Sequence, residues 1–172
     1  MQSDLHFYMH RIVFKLRDLF YPPQSVLDEA GLRSGFTVVD FGFGTGSYTV
    51  PAAARCGSDG RVYAIDVHPL AIRAMKRRIR SGRLDNISVI QTGCATGLPD
   101  NAIDAVLLYD VFHALSKPDE VLRELHRVLK PAAIVSFSDY RLGRKEAQQA
   151  LTKDGLFKLL REGGKTLSFQ RI

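Results

Sequence analysis

In VVDFGFGTGS, residues 38–47, an acid (Asp40) precedes three glycines at every second position, Gly42, Gly44 and Gly46. Glycine lets a backbone take positive φ and pass close to a ligand. A turn of this kind between a strand and a helix is where a doubly wound sheet binds its ligand, and the helix start adds unpaired amides. A second acid, Asp66, ends the next β-branched run, RVYAIDV, and a carboxylate there can accept from two vicinal hydroxyls. The nicotinamide and flavin pattern G-x-G-x-x-G needs glycine at 47 or 49, where Ser47 and Thr49 stand. The nucleotide-triphosphate loop fails as well, since no Gly-Lys-Ser/Thr follows.

A second constellation closes the run AIDAVLLY: Tyr109, Asp110, Phe112 and His113. Parallel sheets open their C-terminal strand ends onto the ligand crevice, so these residues, with Asp139 and Tyr140 after the run AAIVSFS, are candidates to line an acceptor site. His113 has the ordinary pKa range of a general base, and Asp110 is a second candidate. Cys94 has no protease signature around it and reads as a small, half-buried apolar side chain. The two cysteines match no zinc spacing, and no metal site is expected.

The elements that must carry these groups follow from pattern and punctuation. FTVVDF (36–41), RVYAIDV (61–67), NISVIQT, AIDAVLLY and AAIVSFSD read as five strands. Between them lie helices: one from near Val50 to Gly57, one from His68-Pro69 to near Gly82, and PDEVLRELHRVLK, stopped by Pro131. Near-continuous apolar strands alternating with helices mean a parallel sheet covered on both faces. Residues 143–154 read as a polar helix, and two strand-like runs around Glu162-Gly163-Gly164 as a terminal antiparallel hairpin. At the front, residues 5–20 read as a leader helix stopped by Pro22-Pro23, before a short helix with Val26, Leu27 and Ala30 inward. The domain proper is expected over 25–172 after a leader over 1–24. That leader serves as a lid, with Tyr8 and Met9 in the acceptor pocket, or as a homodimer interface.

The ordered motifs resemble the class I S-adenosylmethionine-dependent methyltransferases over roughly residues 25–172. Asp40 with GFGTG resembles the family's acid and G-x-G-x-G. GCATGLPDNAIDAVLL resembles its stretch before strand four, and LHRVLKPAAIVSFSD its helix, turn and fifth strand. The closer likeness is to small prokaryotic proteins with quinone-biosynthesis, type 11 motifs. The resemblance implies a Rossmann-like α/β fold, a seven-stranded mixed sheet in the order 3-2-1-4-5-7-6. It implies S-adenosyl-L-methionine as cofactor and S-adenosyl-L-homocysteine as product. It assigns Asp66 to the ribose, and Val67 and His68 to the flanks of the adenine. Cys94, beside Ala95, falls at the usual adenine-pairing position, where its thiol is a poor acceptor. Asp40 is read as a neighbour of the methionine amino group or as a cap of local amides. Phe43 and Tyr109 are placed at the cofactor. Phe112, His113, Asp139 and Tyr140 are placed at the acceptor.

The implied activity is methyl transfer to a small molecule. Transfer to RNA or protein, and cofactor binding without turnover, are the alternatives. LYDVF stands where amino-methyltransferases have Asp/Asn-Pro-Pro-Tyr/Phe, which argues against base or amide methylation of that type. The 172 residues, 45% apolar, suit one domain with a real core. Two cysteines, no ordered secretory signal and no membrane-length apolar run lead to the expectation of a cytoplasmic protein. The net charge of +6 serves solubility or attracts an anionic partner; helix 69–83 carries Arg73, Lys76, Arg77, Arg78, Arg80 and Arg83.

Overall fold

The computed structural model describes residues 23–172; the expected leader helix over 5–20, with Tyr8 and Met9, falls outside that span. Seven strands form one sheet: β1 (Thr37–Phe41), β2 (Arg61–Asp66), β3 (Ile87–Gln91), β4 (Ile103–Tyr109), β5 (Leu129–Ser138), β6 (Phe157–Glu162) and β7 (Leu167–Arg171). Their order is β3-β2-β1-β4-β5-β7-β6, as the resemblance implied. The first five strands are mutually parallel, and β7 runs antiparallel to both β5 and β6. Five described helices flank the sheet: α1 (Pro23–Glu29), α2 (Thr49–Cys56), α3 (Pro69–Gly82), α4 (Pro118–Val128) and α5 (Arg144–Thr152).

Both faces of the inner strands β1 and β4 are covered, which is why these strands read as near-unbroken apolar runs. Neighbouring residues of β1 enter opposite cores. Val38 joins Ala105, Leu107, Leu27 of α1, Ala52 of α2 and Met75 of α3. Val39 joins Val106, Leu108, Leu125 of α4, Leu151 of α5 and Phe169. Burying a side chain of this size is worth about 1.5–3 kcal/mol, so a one-residue slip of β1 would disturb both cores at once.

Two local expectations shift. The fourth long helix ends at Val128 rather than at Pro131. Leu129 is fully buried and pairs with Ile103, so the chain turns directly into β5. Pro131, which has no N–H, and Ala132, at φ +61°, sit in the irregular stretch of β5 where the register with β4 shifts. Pro51 does not obstruct α2, because it lies in the first turn, where the helix needs no N–H from it.

One long-range contact was invisible to local pattern. The Glu29 carboxylate at the end of α1 accepts from the Lys165 N–H, the Thr166 N–H and the Thr166 hydroxyl, at 2.8–3.1 Å, in the β6–β7 turn. A Cβ on Gly163 would run into the same carboxylate, so the turn is glycine there by contact. This bond set fastens the helix that follows the leader to the last hairpin of the chain. Replacing Glu29 by Ala should cost about 1–3 kcal/mol, since two backbone donors and a mostly buried hydroxyl lose their acceptor. Urea unfolding of the variant measures this, and an unchanged midpoint would show that the clasp contributes nothing.

Candidate active site

The glycine turn follows β1 and crosses the C-terminal ends of β1, β2 and β4. Gly42 and Gly46 have φ of +76° and +74°, in the left-handed region. A Cβ on Gly42 would strike Val111, and one on Gly46 would strike the Cε of Met75. Backbone conformation demands glycine at both, and at Gly42 the β-branched Val111 adds a packing reason, whereas the flexible end of Met75 could give way at Gly46. Gly44 differs: a Cβ there would meet only the Gly42 carbonyl oxygen, at 3.9 Å, and its N–H donates to Asp66 Oδ2 at 2.8 Å.

A cavity of about 680 Å³ opens beside this turn. One end is made by Asp40, Gly42, Phe43, Gly44, Asp66 and His68, and the other by Tyr109, Asp110, Val111, His113 and Tyr140. The cavity thus gathers most of the residues singled out in the sequence for the two ends, with four differences. Gly46 does not line the cavity, because its open side is taken up by Met75. Cys94 and Ala95 do not line it either; Thr92 and Gly93 do. Phe112 turns into the core against Phe137, with ring centroids 5.7 Å apart, and Val111, Ala114 and Leu115 face the cavity instead. Asp139 acts from behind His113, as its bonds show below. Phe112 opens a short 3-10 turn, Phe112–Ala114, so following the C-terminal end of β4 does not by itself put its side chain in the crevice.

The Cys94 outcome has a visible cause. Thr96 donates its N–H and its hydroxyl to Glu124 Oε1 at 2.8 and 2.6 Å, and Arg127 holds that carboxylate from α4. This ties the loop after β3 to α4. Cys94 packs at the margin of the core on that side, and burial, followed by the nearby Glu120 and Glu124, raises its thiol pKa. An unionised thiol in that setting is a poor nucleophile.

The two acids at the first end are held differently. Asp40 is 3% exposed and accepts from the Thr49 hydroxyl at 2.6 Å. Burial pushes its carboxyl up to about 7, against the opposing Thr49 hydrogen bond, and the neighbouring Asp66 adds to the rise. Asp66 accepts from the Gly44 N–H through one oxygen and from the His68 N–H, at 2.8 Å, through the other. Burial raises its pKa and these bonds oppose the rise. Each oxygen keeps a second lone pair for a ligand hydroxyl. Thr49 as the partner of Asp40 was missed in the sequence. Its position at the first turn of a helix nine residues on was the available signal.

At the other end, three N–H groups converge on Asp139. The His113 and Arg141 backbone amides donate at 3.1 and 2.9 Å, and His113 Nδ1 lies 2.8 and 2.9 Å from the two oxygens. The Asp139 side chain is fully buried. With the carboxylate as acceptor, Nδ1 is the donor nitrogen, so in the neutral tautomer the lone pair falls on Nε2 of a ring that lines the cavity. Tyr140 meets the His113 ring edge-on at 5.0 Å. Asp110, at φ +54°, accepts from the Tyr140 N–H at 3.2 Å and so shapes the loop rather than the base. Tyr109 bonds the Ser136 hydroxyl at 2.7 Å, and burial drives its pKa up, which suits a wall and not a proton donor. Among the described residues no cluster of side chains could hold a metal ion, and no helix is long and apolar enough to cross a membrane.

A doubly wound sheet with an acid-glycine turn, a ribose-type acid after β2 and an antiparallel last pair is the architecture of class I S-adenosylmethionine-dependent methyltransferases. Residues 32–167 match the family described as a methyltransferase domain, and the chain belongs to it. It is 31% identical over 107 residues to the ubiquinone/menaquinone biosynthesis C-methyltransferase UbiE of Pasteurella multocida, a match covering 61% of this chain and 40% of that protein. The chain spans about two fifths of the length of the curated relatives it matches. The crystal structure of a SAM-dependent methyltransferase from Aquifex aeolicus superposes with a TM-score of 0.75 at 30% identity, covering 88% of this chain and 90% of that one. A putative type 11 methyltransferase from Sulfolobus solfataricus shares the fold, with a TM-score of 0.65 at 20% identity, covering 78% of this chain and 83% of that one.

The raised pKa of Asp40 gives a stability prediction. Below about pH 3.8 the carboxyl is neutral in both folded and unfolded chains and imposes no cost. As the pH climbs from there through about 7, the unfolded chain ionises first, and stability is lost. Asp40→Asn keeps an acceptor for Thr49 and removes the charge. It should therefore stabilise the ligand-free protein at pH 8, by on the order of 2–4 kcal/mol, and leave it nearly unchanged at pH 4. Thermal unfolding at both pH values checks this; a destabilised variant at pH 8 would contradict the account.

Proposed function

We propose that this chain transfers a methyl group from S-adenosylmethionine to a small molecule whose accepting atom must lose a proton. The observation that carries the reading is the single cavity running from Asp40 and Asp66 to His113. The first end fits the cofactor on its own chemistry. A buried carboxyl that resists ionisation calls for a cationic neighbour, and the amino group of the cofactor supplies one. The carboxylate after β2 has lone pairs for vicinal hydroxyls, and the open side of Gly44 leaves room for a ligand against the backbone.

When bound, the cofactor supplies a methyl group already activated on a sulfonium. What remains for the protein is alignment, exclusion of water and removal of a proton. Val111, Ala114 and Leu115 give the acceptor end apolar walls. Asp139 orients the His113 ring, and Nε2 takes the proton from the accepting atom. The names of the relatives favour a small-molecule acceptor: the matched UbiE proteins are C-methyltransferases of quinone biosynthesis. A cytoplasmic, reducing setting fits the two free cysteines, Cys56 and Cys94.

Calorimetric titration with S-adenosylhomocysteine and with NAD tests the cofactor. Asp66→Ala should weaken S-adenosylhomocysteine binding about 10- to 100-fold, the worth of hydrogen bonds to a charged group. Binding of NAD with no response to S-adenosylhomocysteine would end the reading. Incubation with methyl-labelled cofactor and a fractionated metabolite extract tests the acceptor, and label appearing only in RNA or protein would reject the small-molecule assignment. With an acceptor in hand, His113→Gln should lower turnover about 10²- to 10⁴-fold, with cofactor affinity retained. Unchanged turnover would remove His113 from the chemistry.

A further inference from the structure

Helix α3 presents a feature that methyl transfer does not use. Arg73, Lys76, Arg77 and Arg80 are all exposed and fall at i, i+3, i+4 and i+7, on one face; Arg83, also exposed, extends the row beyond the helix end. No acid occurs between Pro69 and Gly82. Elsewhere on the described surface several cations are matched with carboxylates, among them Arg55 with Asp28, Lys117 with Glu120, Arg123 with Asp154, Lys130 with Asp104 and Lys153 with Asp119. None of the five cations along α3 has an ion-pair partner among the described residues. Without them the net charge of +6 would fall to +1.

This arrangement costs stability inside the molecule. Like charges three and four apart repel by about 0.2–0.5 kcal/mol per pair, and Arg73 and Lys76 stand in the first half of the helix, where its dipole disfavours cations. Solubility needs no such row, since charges of mixed sign serve it. The compensation must come from an external anion that is long, dense in charge and matched to a straight row about 15 Å in length.

We propose that the outer face of α3, with Arg83, docks the phosphodiester backbone of a nucleic acid. A duplex carries one charge per about 1.7 Å of axis, so a row of this length can neutralise four or five phosphates. Four of the five cations are arginine, whose guanidinium fork matches phosphate oxygens. A bilayer fits less well. The apolar side of α3, Ala71, Ile72 and Met75, is buried against the sheet, and no large exposed apolar side chain interrupts the row for insertion among lipids. The face lies over β2 and β3, away from His113 at the end of β4, so it positions the protein on the polymer and does not deliver the acceptor.

The test is fluorescence anisotropy of the full chain with short, mixed-sequence DNA and RNA duplexes, between about 50 and 200 mM salt. The expected result is sequence-independent binding with a log–log salt slope near about −4. The triple variant Arg73→Gln/Arg77→Gln/Arg80→Gln should bind at least about tenfold more weakly and with the slope reduced by about three. It should keep the wild-type affinity for S-adenosylhomocysteine, which shows that it folds. Absence of duplex binding at the lowest salt, a triple variant that binds like wild type, or binding to phosphatidylglycerol vesicles in place of duplexes would each overturn the proposal. Because cofactor affinity is read separately, none of these outcomes can be mistaken for failure of the methyltransferase reading.

Discussion

Everything at the cofactor end depends on a carboxyl buried near the end of an inner strand, β1. Asp40 lies on β1, between β2 and β4, and has lost nearly all contact with water. The hydrogen bond it accepts from the Thr49 hydroxyl does not offset the burial. The neighbouring structure accommodates that acid. The glycine turn bends over it, Asp66 sits close enough to add to its reluctance to ionise, and the cavity opens beside it. Such a site is strained electrostatically until a cation arrives, so stability is given up where binding is needed.

The opposite end is built by the same sheet with the electrostatics reversed. Asp139 is as deeply buried as Asp40, yet it collects three N–H donors. It spends its charge on orienting a histidine rather than waiting for a ligand. The two acids end or closely follow β1 and β5, on either side of β4, whose last residue, Tyr109, also lines the cavity. One parallel register therefore sets the spacing between Asp40 and the His113–Asp139 pair. The Glu29 clasp and the loop tied to Glu124 fix the surroundings of the cavity from the other strands.

The sheet was legible because β1 and β4 are buried on both faces and its strands are punctuated by Gly, Pro and Asn, and the hairpin showed in Gly163-Gly164. Asp40, Asp66 and His113 were legible because each ends or follows a strand at the edge where ligands bind. What escaped notice was non-local or irregular. His113 and Asp139 were both singled out, but 26 residues separate them and nothing in the spacing pairs them. Glu29 meets Thr166 across 137 residues. Phe112 and Val111 exchanged roles because a single 3-10 turn rotates the chain between β4 and α4. Cys94 was displaced by a loop whose course is set by Glu124 and Arg127, on a helix that comes later in the chain.

The central claim, that a buried, reluctant acid at the glycine turn is completed by the cofactor's cation, is tested most directly by calorimetry. S-adenosylhomocysteine would be titrated at about pH 6.5, near the Asp40 midpoint, in two buffers of different ionisation heat. The account predicts binding accompanied by release of a proton from Asp40, and loss of that release in Asp40→Asn. Binding with no proton release in the wild type, or the same release from the variant, would contradict it.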